Sequence, residues 1–219
     1  MYEIGNEEDR ALQRIISKRK LFRYFENSEC SIFEKNYSKY LSIKHTALAS
    51  SGTAALTAAL VGLQIGPGDE VIVPAHTYMA TAMSVLSVGA IPVIVDIDES
   101  LTISPSALDN ACGPRTRAAI VVHMWGTTCN MNEIMKIAKK KNLFIIEDAC
   151  QAVGGGYNKK MLATIGHVGA FSFNYYKNMT SGEGGAVVSN NVEIIERAKC
   201  AIDPCPVSYT HLRAHETLR

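Results

Sequence analysis

Residues 145–185 read IIEDACQAVGGGYNKKMLATIGHVGAFSFNYYKNMTSGEGG, and they hold an acid, an amide, a serine and a lysine at spacings that one crevice can gather. The apolar run from Leu143 to Ile146 predicts a short buried strand that stops on Glu147-Asp148, so the Asp148 carboxylate falls at the strand's carboxyl end. Open α/β sheets place their ligands at that edge. A second strand, Ala170 to Phe173, delivers Ser172 to a similar edge. Lys177 follows in a polar loop that closes with Gly182-Glu183-Gly184-Gly185.

Working outward, the same alternation recurs. Glu70 to Val73 reads as a strand ending at Pro74, after which His76 and Tyr78 leave its carboxyl end and enter a helix running to about Val88. Ile91 to Val95 is the next strand, closed by Asp96. A helix follows Ser104-Pro105, where proline suits a first helical turn. Ala118 to His123 is another buried strand, Asn132 to Lys141 another helix, and a further helix begins at Val192. Strand, helix and strand in turn predict an α/β fold with a doubly wound, mostly parallel sheet flanked by helices. Residues 1–40 are polar with a helical rhythm, Leu12, Ile15 and Ile16 and then Phe33, Tyr37 and Tyr40 recurring at steps of three and four. They read as packing or lid helices outside the sheet.

A helix is also predicted from Thr53 through Leu63, capped by Ser50, Ser51 or Thr53 and rich in alanine and leucine. Its first turn, preceded by Gly52, offers unpaired N–H groups and a partial positive charge, which suit a phosphate. The plain alternative is a capped helix that binds nothing.

Bulk properties narrow the partners. The chain has 219 residues, 47% hydrophobic and 20% charged, with a formal net charge of +1 and no basic run longer than Lys139-Lys140-Lys141. That balance points away from nucleic acid and anionic membranes and toward a small molecule. No apolar run approaches a membrane span, and no signal peptide is evident. Cys30, Cys112, Cys129, Cys150, Cys200 and Cys205 have no paired or metal-ligand spacing, so they read as reduced thiols of a cytoplasmic protein, with no metal site expected.

Taken singly, the candidate residues have plain explanations. Tyr78 reads as a core or packing ring, His76 as a loop residue and His123 as a core residue. Asp148 reads as a helix cap, Gly154-Gly155-Gly156 as a flexible turn, and Lys177 as a solvated surface lysine. Together they fall at strand ends and helix starts facing one edge. A lysine amine, a buried carboxylate and a phosphate cradle are what pyridoxal phosphate needs: a Schiff-base partner, a group that keeps the pyridine nitrogen protonated, and an anchor. The candidates are Lys177, Asp148, the Gly52-Thr53-Ala54 turn with Ser172, and Tyr78 against the ring.

Five segments in order, SSGTAAL (50–56), VPAHTYMATA (73–82), GAIPVIVDID (89–98), EDACQAVGGGY (147–157) and FSFNYYKNMTSGEGGA (171–186), resemble the DegT/DnrJ/StrS family of pyridoxal-phosphate-dependent sugar aminotransferases. The resemblance covers about residues 2–200. It implies fold type I, the aspartate aminotransferase-like fold. It also implies that Lys177 holds the cofactor and moves the proton, and that Asp148 pairs with the pyridinium nitrogen. Gln151 would bond the ring's phenolic oxygen, Tyr78 would stack on the ring, and Gly52, Thr53, Ala54 and Ser172 would bind the phosphate. Asn174 sits where the family has histidine or asparagine, with its role open. The implied reaction moves an amino group from glutamate or glutamine to a keto sugar, usually nucleotide-linked, or to a keto-cyclitol. The implied assembly is a homodimer with the active site at the interface.

Relatives of this kind are roughly twice as long. The expected organisation is therefore an N-terminal helical segment (1–40), a cofactor-binding large domain incomplete at its carboxyl end (41–203), and a tail (204–219, PCPVSYTHLRAHETLR) that matches nothing in the resemblance and reads as foreign. Three alternatives stay open. One is a lyase or desulfurase of the same fold. Another is the family's dehydratase branch, against which Lys177 argues because that branch carries histidine there. The third is an inactive cofactor-binding or regulatory homologue.

Overall fold

The computed structural model describes residues 4–203, so the tail expected at 204–219 lies outside the described residues. Two helices open the chain, α1 (Asn6–Lys18) and α2 (Glu29–Leu41), followed by β1 (His45–Ala49), α3 (Gly52–Gly62), β2 (Glu70–Pro74), α4 (Ala80–Ser87) and β3 (Ile91–Val95). Next come α5 (Pro105–Ala111), β4 (Thr116–Val122), α6 (Met131–Lys141) and β5 (Phe144–Asp148). A small hairpin, β6 (Gly156–Tyr157) and β7 (Lys160–Met161), precedes β8 (Val168–Ser172), β9 (Gly185–Ser189) and α7 (Val192–Ile202).

Seven strands form one sheet in the order β1-β9-β8-β5-β4-β2-β3. β9 runs antiparallel to both of its neighbours, while the remaining pairs are parallel. Six strands therefore present their carboxyl ends to one edge. This is the mostly parallel α/β sheet that the alternation predicts.

Strands buried on both faces need apolar residues of both parities, and they have them. Val71, Val73, Ala118, Ile120, Ile146, Val168 and Val187 pack on the face covered by α3, α4 and α7. Ile72, Ala119, Val121 and Ile145 pack on the opposite face with Leu108 of α5 and Met131, Ile134 and Ala138 of α6. Beside that second layer, Tyr37 and Leu41 of α2 cover Phe171, Ala186 and Val188. α3 explains why an alanine-rich helix was wanted: Ala55, Ala58 and Ala59 are at most 1% exposed, and small side chains let the helix lie close to the sheet.

Several boundaries differ from the sequence reading. β8 begins at Val168 rather than Ala170, because Val168 pairs with Ile146 of β5. α4 begins at Ala80, which leaves His76 and Tyr78 in the loop before it. β1 and β9 are not evident from hydrophobic runs. They are five residues each, and they exist because β1 pairs with β9 and β9 pairs in turn with β8. Gly156 enters the β6–β7 hairpin, so the triple-glycine segment is only partly a free turn.

Candidate active site

The carboxyl edge of the sheet collects the ends of β1, β2, β4, β5 and β8 and the first turn of α3. Asp148 ends β5 and is only 6% exposed. Its strand parity turns it toward α4, where Oδ2 accepts from the Thr81 hydroxyl at 3.1 Å, and Oδ1 accepts the Cys150 N–H at 3.1 Å. Thr81 is in turn bonded to Thr77. Two donors on a carboxylate leave lone pairs for a further one. The sequence reading did not single out Thr81, although it lies within the quoted segment 73–82.

α3 reaches the same edge from β1. Ser51 caps it, its hydroxyl accepting the Ala54 N–H at 3.1 Å, and the Ser51 carbonyl takes the Ala55 N–H. The helix's orphan donors are therefore those of Gly52 and Thr53. Ala54, one of the three residues read as the phosphate turn, already spends its N–H on Ser51. Gly52 lies where no side chain fits: a Cβ there would be 2.7 Å from the Ser172 Cβ and 2.9 Å from the Cys150 sulfur. The helix start, the end of β8 and the residue two beyond Asp148 are thus in contact.

Lys177 sits half-buried in the loop after β8, its N–H donating to the Asn174 carbonyl. Its ammonium acts on Cys150. Burial pushes that thiol well above its ordinary pKa, Asp148 acts in the same direction, and the Lys177 charge partly offsets both. Lys177 is therefore not a fully solvated surface lysine. Asn174 stitches its loop together: Nδ2 donates to Glu183 at 2.8 Å, and Oδ1 accepts the Tyr176 N–H.

Gln151 is oriented from an unexpected quarter. Its Oε1 accepts the Trp125 N–H at 3.3 Å, which assigns the NH2 group to the other side. Trp125 adopts φ 51°, a left-handed conformation uncommon for a bulky residue. Tyr78 is 69% exposed, so it is a rim residue and not the core ring that a lone tyrosine suggests. His76 stays in the loop, bonded to the Leu101 carbonyl and edge-on to Trp125.

Behind the edge lies a polar group that the sequence reading treated only as a core histidine. His123 and Glu147 are both 0% exposed and bonded Nε2 to Oε2 at 3.1 Å. Burial disfavours the imidazolium while contact with Cys129 and Glu147 favours it, and the geometry at Nδ1 decides for the neutral ring. Its Nδ1 faces the Cys129 N–H at 3.2 Å, so Nδ1 is the acceptor and Nε2 carries the proton shared with Glu147.

The donor set suits pyridoxal phosphate. It comprises orphan N–H groups with a hydroxyl for the phosphate, a buried carboxylate with spare lone pairs, a carboxamide with its NH2 uncommitted to Trp125, and a half-buried amine. The family model described as the DegT/DnrJ/EryC1/StrS aminotransferase family matches residues 2–211. The chain is 42% identical over 168 residues to a GDP-perosamine synthase of Caulobacter vibrioides, an alignment that takes in 76% of this chain and 45% of that protein. It superposes on S. venezuelae DesV in complex with a ketimine intermediate at a TM-score of 0.83 and 40% identity, covering 89% of this chain and 52% of that one. It also superposes on NtdA of Bacillus subtilis with bound cofactor PMP at a TM-score of 0.79 and 33% identity, covering 90% and 45%. The chain spans about half the length of the curated relatives it matches.

Proposed function

The chain belongs to the DegT/DnrJ/EryC1/StrS aminotransferase family, and we propose that it carries the cofactor-binding half of a pyridoxal-phosphate-dependent sugar aminotransferase. The reaction is transfer of an amino group from glutamate or glutamine to a keto sugar, nucleotide-linked, or to a keto-cyclitol. What supports this reading is the placement of Asp148, Ser172 and the α3 amino terminus at one sheet edge, with Gln151 three residues beyond Asp148 and Lys177 in the loop after β8, in a chain of this family.

Pyridoxal phosphate, when bound, supplies the electron sink. The remaining roles belong to this chain. The Gly52 and Thr53 N–H groups and the Ser172 hydroxyl hold the phosphate at a helix terminus. Ala54 belongs to that turn through its bond to the Ser51 cap. Asp148, held by Thr81 and the Cys150 N–H, keeps the pyridine nitrogen protonated, since a neighbouring carboxylate favours the charged form. Gln151 donates to the phenolic oxygen, and Tyr78 covers the ring. Lys177 carries the cofactor's covalent attachment and then serves as general base and acid for the proton moved at the substrate carbon.

Residues 41–203 form the cofactor-binding domain in this reading, and 1–40 the accessory helical segment. The active protein is a cytoplasmic homodimer with its site at the interface. Tyr78, Met79, Met83, Leu86 and Ile94 are each at least 49% exposed and lie along α4, its preceding loop and the edge strand β3, an apolar surface of the kind that partners cover. No helix among the described residues is long and apolar enough to cross a membrane.

The test is the visible absorption spectrum of the chain mixed with pyridoxal phosphate, beside Lys177→Ala, before and after glutamate. A band that requires Lys177 and bleaches with glutamate is expected. A soluble, folded chain that gives no such band overturns the reading.

A further inference from the structure

Glu147 has four donors around it and no part in the roles above. Its Oε2 accepts from His123 at 3.1 Å and from the Ala163 N–H at 3.0 Å, and its Oε1 accepts from the Ile165 N–H at 2.6 Å and the Gly166 N–H at 2.5 Å. A carboxylate with no solvent exposure is tolerated only when its lone pairs are filled, and here backbone and imidazole fill them. The turn that it grips, 163–166, lies against β8: a Cβ on Gly169 would stand within 2.8 Å of three Ala163 atoms. Ala163 itself is held at φ 69°, a conformation that needs outside support.

The other end of the network reaches a second turn. The His123 N–H bonds the Asp148 carbonyl, and its Nδ1 takes the Cys129 N–H, so the ring spans the neck of the 123–129 turn. Cys129 closes the neck again by donating its thiol to the Val122 carbonyl. Trp125 lies within this turn, in its left-handed conformation, with its N–H on Gln151.

We infer that Glu147 and His123 are a positioning pair for the cofactor edge: the carboxylate seats the 163–166 turn under β8, and the imidazole carries that anchorage to the 123–129 turn, whose Trp125 N–H aims the Gln151 carboxamide. Both act through other groups and touch no reacting atom. The positioning role rests on the cofactor reading of the preceding subsection, whereas the clamp itself rests only on the hydrogen bonds.

Three variants of the full chain separate the possibilities. His123→Gln can still donate to Glu147. His123→Asn can still accept from Cys129 but loses its reach to Glu147. His123→Leu does neither. Amide hydrogen exchange at Trp125, Cys129, Ala163 and Gly166 is measured with that at Ile134 of α6 as the control, together with pyridoxal phosphate affinity and the position and pH midpoint of the bound cofactor's visible band. Exchange at Ala163 and Gly166 is expected to rise roughly tenfold in His123→Leu and in His123→Asn, and at Cys129 in His123→Leu, with Ile134 unchanged and the affinity falling by a similar factor. His123→Gln should stay within about threefold of the parent chain on every readout except exchange at Cys129, whose acceptor it removes.

If His123→Leu does not fold, the comparison of Asn with Gln decides. Unchanged exchange in His123→Asn overturns the clamp, whatever the cofactor does. Faster exchange with unaltered affinity and band midpoint overturns the positioning role and leaves a structural pair. A parent chain with no Lys177-dependent band overturns the cofactor reading and the positioning role with it, while the exchange rates still report on the clamp.

Discussion

Gly52→Ala sets two opposing effects against each other at the tip of α3. Gly52 has no positive φ, so alanine at this helical position gains up to about 1 kcal/mol from the stiffer backbone. Against this, the new methyl would stand 2.7 Å from the Ser172 Cβ and 2.9 Å from the Cys150 sulfur. Carbon atoms prefer a separation of about 3.5–4.0 Å, so the first contact is too short by close to an ångström. The Ser172 Cβ cannot rotate away, because it is fixed to a strand that pairs through Ser172 with Gly185. The helix tip must then lift from the sheet.

Overpacking of this kind costs about 1–3 kcal/mol, and a contact this short against a fixed strand atom puts it at about 2–3 kcal/mol, so after the backbone gain the net effect is a loss of about 1–2 kcal/mol. In a chain of this size that lowers Tm by about 2–8 °C. Thermal unfolding followed by circular dichroism reads the stability, and a pyridoxal phosphate titration reads the same lift as weaker binding, because the Gly52 and Thr53 N–H groups move with the helix. Cys150→Ala in the Gly52→Ala background removes the sulfur contact but keeps the Ser172 one, so it should restore only part of the loss. A Gly52→Ala chain with an unchanged or higher Tm and parental affinity would refute the reasoning, since the α3 tip would then not be packed on Ser172.

Three further outcomes are expected. Tyr37 is buried with its hydroxyl unpaired, so Tyr37→Phe should raise stability by about 1 kcal/mol in urea unfolding. Burial, with Tyr40 and Cys150 acting alike, also raises that phenol's pKa, so the native state keeps a proton that the unfolded chain loses above about pH 10. Stability should fall with rising pH in that range, and less steeply in the Phe variant. His167 has its pKa lowered by burial, and its Nδ1 accepts the Ile145 N–H, a bond that only an unprotonated Nδ1 can take. The unfolded chain then binds the extra proton first as pH falls below about 6.5, so stability should drop there. His167→Asn, whose Oδ1 can replace Nδ1 as acceptor, should flatten that acid limb, and an unaltered limb would count against the assignment. Finally, Cys150, with its raised pKa, should react with iodoacetamide at pH 8 more slowly than the exposed Cys200, as peptide mass mapping would show. Equal rates would contradict the burial of its thiol.

Much of the site could be read before folding because strand ends leave clear marks. The apolar run into Glu147-Asp148 and the Ser-Gly-Thr start of an alanine-rich helix announce where a carboxylate and a set of orphan N–H groups must lie. In a mostly parallel sheet, such ends share an edge. What was not legible came from contacts across long stretches of chain. Thr81 meets Asp148 from 67 residues away, and nothing in the local pattern marks a threonine on an apolar helix as a carboxylate partner. Trp125 orients Gln151 with a backbone N–H, a donor that every residue but proline carries. Tyr78 read as either core or rim, and only its exposure decided between them.

The sequence by itself determined the α/β alternation, the sheet's double burial and the edge on which Asp148, Ser172 and the α3 start lie, because hydrophobic period, capping and turn residues act over a few positions. Tertiary structure alone decided that β1 and β9 are strands, that Ala54 spends its N–H on Ser51, that Gly52 admits no side chain, and that Glu147 with His123 braces two turns behind the site. Each of these depends on which distant group fills a particular hydrogen bond or space, and that is settled only when the elements pack.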